Sequence, residues 1–316
     1  MEQEKTCKIP PKKLAQTFKK WNTNMSNTKN TTSSTALVFA GQGAQYTGMG
    51  KELYYSSKVA KQVFDELESI RKGTIDQCFS APKEELSLTI NTQPCVFAVS
   101  YAHAMALKSN GLSPKAIAGF SLGEVAALTC AGVLTLKDGF RAVIKRAEFM
   151  HDCTNKHKGT MSAVLRLEQL AVEELAKKHG VYPVNYNCPG QIVVSGELDK
   201  MQEFNASVNS SGGRAMLLPV SGAFHSPLMA AASDNFAKHL GTLKLSKPNL
   251  PVYSNVTAKE YPTDTIKIKE LFANQIKSPV QWISTIKNMT KDYKIDTFIE
   301  TEPGKILTGL NSKILA

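Results

Sequence analysis

From Ala36 onward the chain carries two kinds of hydrophobic pattern. Ala36-Leu37-Val38-Phe39-Ala40 is apolar at every position, as a strand buried on both faces is, and it runs straight into Gly41-Gln42-Gly43-Ala44-Gln45. Apolar residues at helical spacing follow over Val59–Ile70 and Pro94–Ser109. A second short strand, Lys115–Ala118, stops at Gly119, and helices are predicted from Val125 to Ala131 and from Leu136 to about Met150. The pattern then changes in kind. Met161–Leu165, Val181–Tyr186, Gln191–Gly196 and Arg214–Leu218 read as strands, with helices near Leu167–His179 and Asp199–Ser210, which gives the order βαββαβ. Beyond the Ser221–Met229 segment come a strand at Val252–Asn255, a helix near Ile266–Gln275 and a last strand at Thr297–Glu300. Pro303-Gly304-Lys305 then opens a final helix.

The expected fold is α/β. A large α/β-hydrolase-like domain with a parallel sheet takes residues 36–158 and 220–316, and a small ferredoxin-like (βαββαβ) subdomain is inserted at 159–219. A chain of 316 residues, 42% of them hydrophobic, can bury a sizeable core. No apolar run reaches the roughly 20 residues that cross a bilayer as a helix, so a soluble protein without a membrane partner is expected. Six scattered cysteines without a C-x-x-C pair read as reduced thiols, and six histidines show no metal-ligand spacing. Neither a metal nor another cofactor is expected.

Charge adds a partner class. Of the net +11, residues 1–35 supply +5 through seven lysines set against Glu2 and Glu4, leaving +6 for the body. A positive body suits an acidic partner, but there is no dense basic helix or aromatic-basic pattern to suggest nucleic acid. Residues 1–35, lysine-rich and then rich in Asn, Thr and Ser from Asn22, read as a flexible segment and a mitochondrial presequence with its amphipathic part at Lys12–Trp21. The acids and the lack of arginine there are atypical of presequences. The matrix is the expected location, and the cytoplasm the alternative.

The chemistry centres on Gly119-Phe120-Ser121-Leu122-Gly123-Glu124, a G-x-S-x-G corner between a strand and a helix. A serine there projects into a cleft, and the helix N-terminus offers unpaired N–H groups to a developing oxyanion. Serine needs a base, most often histidine, and His225 stands in a Gly- and Pro-containing loop. His103, His151, His157, His179 and His239 fall on helices or in a Lys-rich connection. No acid occupies a strand-end loop between serine and histidine, so a backbone carbonyl is a plausible orienting group. Arg146 reads either as part of a solvated helix face or as a guanidinium that grips a carboxylate.

Taken together, Phe39–Gln45, Gln93-Pro94, Gly119–Glu124, Arg146–Met150, Gly222–His225 and Glu302-Pro303-Gly304 resemble the malonyl-CoA:acyl carrier protein transacylases, in the same order over about residues 36–312. Leu218–His225 looks most like the animal mitochondrial members. The resemblance implies a ping-pong transfer from malonyl-CoA to the phosphopantetheine thiol of holo acyl carrier protein, an acidic partner, through a malonyl-Ser121 intermediate. It implies His225 as the base, backbone N–H groups of Gln42 and Leu122 as the oxyanion hole, and Arg146 on the malonyl carboxylate. The carbonyl of Gln275 would orient the histidine, and Gln93, Met150, Asn187, Gln191 and Phe224 would line the substrate pocket. A monomer is expected. Phe120 stands where many relatives have histidine. The serine corner alone also permits a hydrolase such as a thioesterase, and the positive body permits a carrier-binding module without catalysis.

Overall fold

The computed structural model describes residues 34–316 except His157 and Ser221. The presequence reading lies outside the described residues. Four strands, β1 (Thr35–Phe39), β2 (Ala116–Gly119), β7 (Val252–Tyr253) and β8 (Thr297–Glu300), form one sheet in the order β7-β2-β1-β8, and every pairing in it is parallel. Alternate residues of β1 enter different cores. Leu37 and Phe39 join a large cluster with Phe64, Phe97 and Phe140, whereas Ala36 and Val38 meet Trp282, Ile286 and Met289 on the other face. Helices cover both faces, which is why β1 is apolar throughout. The carboxyl ends of β1 and β2 lie side by side, and the Gly41 and Ser121 loops leave from them.

The remaining strands, β3 (Gly159–Leu165), β4 (Tyr182–Cys188), β5 (Gln191–Glu197) and β6 (Arg214–Leu217), make an antiparallel sheet in the order β4-β5-β3-β6. The helices Gln169–His179 and Leu198–Ser210 cover one face through Val172, Met201 and Phe204. Met161, Ala163 and Val193 turn the other way, toward the large cluster, so this second sheet forms a wall over the serine corner.

Several elements depart from the sequence expectation. The helix expected from Pro94 begins at Thr89, with the proline inside it. Proline forfeits one backbone bond without forbidding the turn before it, and that earlier start puts Gln93 on a rigid helix. The Leu136 helix runs on to Lys156. β7 ends at Tyr253, so Ser254 and Asn255 are free of the strand. The helices Ala230–Gly241 and Trp282–Tyr293 were not expected. The second is rich in Thr, Ile and Asn, poor helix formers, and forms because Trp282, Thr285, Ile286 and Met289 bury one stripe.

Candidate active site

The serine corner is built by close packing. A Cβ on Gly119 would lie 2.0 Å from the carbonyl carbon of Gly123, and one on Gly123 would lie 2.2 Å from the Phe39 carbonyl oxygen. Close approach, rather than a positive φ, is what demands these two glycines. The strained residue is Ser121, at φ 52°. Gly123→Ala is expected to cost about 3 kcal/mol of stability, because backbone atoms would have to give way. Urea unfolding measures this, and a loss below about 1 kcal/mol would show a corner able to relax.

Ser121 Oγ is 2.7 Å from His225 Nε2. On the other side of the ring, Nδ1 faces the carbonyl oxygens of Gln275 at 2.9 Å and Ser278 at 3.2 Å. Carbonyls only accept, so Nδ1 carries the proton and Nε2 offers its lone pair to the serine hydroxyl. The Gln275 carbonyl belongs to the C-terminal end of the helix Thr265–Asn274, whose dipole favours the imidazolium formed on proton uptake. Burial, and then the charge of Arg146, push His225 down to about 4. The lowered value leaves the ring neutral, with the Nε2 lone pair available to accept a proton, at every pH well above 4. In an NMR titration the His225 signals, assigned by difference from His225→Gln, should move only as pH approaches about 4. A midpoint near 6.5 would contradict this environment.

Arg146 is fully buried, which removes the solvated-face reading. It shares one stripe of the Leu136 helix with Val143 and Met150. Its Nη1 donates to Gln93 Oε1 at 2.7 Å, and its Nη2 to Gln275 Oε1 at 2.9 Å and to Ser121 Oγ at 3.3 Å. Nε has no partner among the described residues. Burial lowers its pKa to about 10, partly opposed by the field of Glu124, so the guanidinium stays charged at neutral pH. Among the described residues no carboxylate forms an ion pair with it. A cation is therefore held beside the serine by neutral amides, with its charge open to an anionic group.

Two cavities meet here. An inner one of about 100 Å³ is bordered by Ser121, His225, Arg146, Gln93, Met150 and Phe224. An outer one of about 440 Å³ runs past the Gly41–Gln45 loop, Asn187, Gln191 and Leu307. Gln42, Phe120 and Asn185 line both. Ser121 N–H is spent on Asn255 Oδ1 at 2.7 Å, whereas the N–H groups of Leu122 and Gln42 donate to no described residue. Both residues border the inner cavity, so their amides are the ones open to a reacting oxygen. Phe120 packs edge-on against Trp282, with centroids 5.4 Å apart.

The structure thus gathers Ser121, His225, Arg146, Gln93, Met150, Phe224, Gln42 and Leu122 at the inner cavity, with Gln275 behind them on His225 and Arg146, and Asn187 and Gln191 only in the outer one. Sequence reasoning missed Asn185, whose Oδ1 is buried without a partner among the described residues. Its signal was a second polar residue, two before Asn187, in an otherwise apolar strand. It also missed Asn255 and Tyr261, and gave Glu124 no role. Glu124 is completely buried. Burial raises its pKa to about 7 while the Tyr261 hydroxyl, the Asn255 N–H and the Arg146 charge pull it back down.

Comparison with known proteins agrees in sequence and fold. The acyl transferase domain family matches residues 36–312. The malonyl CoA-acyl carrier protein transacylase of Bacillus subtilis is 38% identical over 289 residues, which are 89% of this chain and 90% of that one. The Escherichia coli K12 protein of the same name is 34% identical over 287 residues, 89% and 92% of the two chains. Among solved structures, the Clostridium perfringens transacylase superposes with a TM-score of 0.85 at 37% identity, over 89% of this chain and 90% of that one. A malonyl-transacylase in complex with its type II PKS acyl-carrier protein does so with a TM-score of 0.86 at 32% identity, over 90% and 93%.

Proposed function

The chain belongs to the malonyl CoA-acyl carrier protein transacylase family, and from that premise we propose that it moves a malonyl group from malonyl-CoA to acyl carrier protein in support of fatty-acid synthesis. The observation that carries the reading is the buried Arg146, 3.3 Å from Ser121 Oγ and ion-paired to no carboxylate among the described residues. An acyl group that ends in a carboxylate would take over the fork held by Gln93 and Gln275 and bring its thioester to the serine.

Ser121 Oγ attacks the thioester carbon while its proton passes to His225 Nε2. The carbonyl oxygen becomes an oxyanion between the amides of Leu122 and Gln42. As the C–S bond breaks, the leaving sulfur takes the proton from His225, leaving malonyl-Ser121. The thiol of the carrier's phosphopantetheine then yields its proton to His225, its sulfur attacks the ester carbon, and as the C–O bond breaks Ser121 Oγ takes that proton back from His225 Nε2. Asn187, Gln191 and Asn185 would flank the pantetheine arm in the outer cavity. A small inner chamber suits an ester that must outlast contact with water.

Intact-mass spectrometry after brief mixing with malonyl-CoA, followed by holo carrier protein, tests the proposal. A malonyl adduct that moves to the carrier supports it. An adduct lost to water with the carrier unchanged would replace it with a hydrolase, and no adduct would leave a binding module. We further place the protein in the mitochondrial matrix as a monomer akin to the animal mitochondrial members. The lysine- and hydroxyl-rich composition of residues 1–35 supports the location, and the Leu218–His225 phrase supports the kinship. A fluorescent fusion of residues 1–35 that stays in the cytosol would refute the location.

A further inference from the structure

Asn255 joins both sides of the serine corner without touching either cavity. Its Oδ1 accepts the Ser121 N–H at 2.7 Å, and its Nδ2 donates to the Gly119 carbonyl at 2.6 Å. β7 pairs with β2 only as far as Tyr253 opposite Ala118. The carboxamide of Asn255 therefore serves the corner as one further peptide unit, a donor and an acceptor side by side, where the strand has ended.

Asn255 is itself clamped. Its backbone N–H donates to Glu124 Oε2 at 2.8 Å, and the Tyr261 hydroxyl donates to Glu124 Oε1. Gln275 Nε2 reaches the Ser121 carbonyl at 2.6 Å and Asn255 Oδ1 at 3.3 Å, so the residue that orients His225 shares the cluster. Asn255, Glu124 and Gln275 are fully buried, and Tyr261 nearly so. A left-handed φ on a non-glycine residue persists only where its surroundings over-determine it, and this network is what surrounds Ser121.

We propose that Asn255, held by Glu124 and Tyr261, is a positioning residue that fixes the Ser121 corner, keeping Oγ aligned with His225 and leaving the Leu122 N–H for the reacting oxygen. The inference rests on the reading of Ser121 as nucleophile.

Its test uses the full chain and an alkyl fluorophosphonate, which needs no carboxylate grip. Ser121 Oγ forms a bond to phosphorus, fluoride leaves and the serine proton passes to His225, so the labelling rate reports the corner and not malonyl binding. Asn255→Ala should label about tenfold or more slowly while KM for malonyl-CoA stays within about threefold, since a displaced nucleophile costs rate rather than affinity. Glu124→Gln keeps the volume and one acceptor, and guards against an Asn255 variant that does not fold. It should label about threefold or more slowly. Labelling by either folded variant within about twofold of the parent overturns the proposal, as does a rise in KM that accounts for the whole loss. If the parent labels but takes up no malonyl group, the proposed substrate fails while the positioning role stands.

Discussion

Ser121→Ala is expected to take up no malonyl group from malonyl-CoA and to lose transfer to the carrier by about 10⁴-fold or more. Three contacts converge on this one oxygen or its amide: His225 Nε2 at 2.7 Å, Arg146 Nη2 at 3.3 Å and, through the backbone N–H, Asn255 at 2.7 Å. Alanine keeps the backbone contact and removes the atom that would carry the acyl group. Arg146 retains Gln93 and Gln275, so the fold should be undisturbed. Intact mass and a transfer assay check this, and a malonyl adduct on Ser121→Ala would move the nucleophile elsewhere.

Arg146→Ala is expected to cost malonyl transfer about 2–5 kcal/mol, roughly 30-fold to several-thousand-fold in kcat/KM, because the substrate carboxylate would enter a buried chamber without its cation. Transfer of an uncharged acyl group such as acetyl should suffer far less, since Ser121, His225 and the free amides all remain and the serine loses only the 3.3 Å contact from Arg146. Stability should change little, or rise. The guanidinium is fully buried, Nε lacks a partner among the described residues, and burial lowers its pKa, all signs that function rather than folding retains it. Arg146→Lys should not restore activity fully, because an ammonium cannot present two parallel donors to a carboxylate. Thermal unfolding beside malonyl and acetyl kinetics separates these effects, and a variant that lost both acyl groups equally would deny Arg146 its proposed role.

The serine corner is legible in the sequence because its causes are local. Two glycines four residues apart, a strand before them and small helix formers after them are all that the steric argument uses, and the packing at Gly119 and Gly123 bears it out. His225 is less legible, a single ring in a loop with Gly and Pro. Its tautomer follows only from the Gln275 and Ser278 carbonyls, 50 and 53 residues away. Pro94 hides the first turn of its helix, and poor intrinsic formers hide the whole of Trp282–Tyr293, where burial outweighs propensity.

Short apolar runs and the helical periodicity between them determined the order of elements along the chain, and neighbouring glycines determined the nucleophile, because both depend on residues adjacent in sequence. Only the tertiary structure decided that Arg146 is a buried cation and not a solvated one, and that Asn255 leaves its strand and holds the serine. Burial and pairing are properties of remote neighbours: Arg146 meets Gln275 across 129 residues, and Asn255 meets Ser121 across 134. Desolvation acts on what surrounds a group in space, and one segment of sequence carries no record of it.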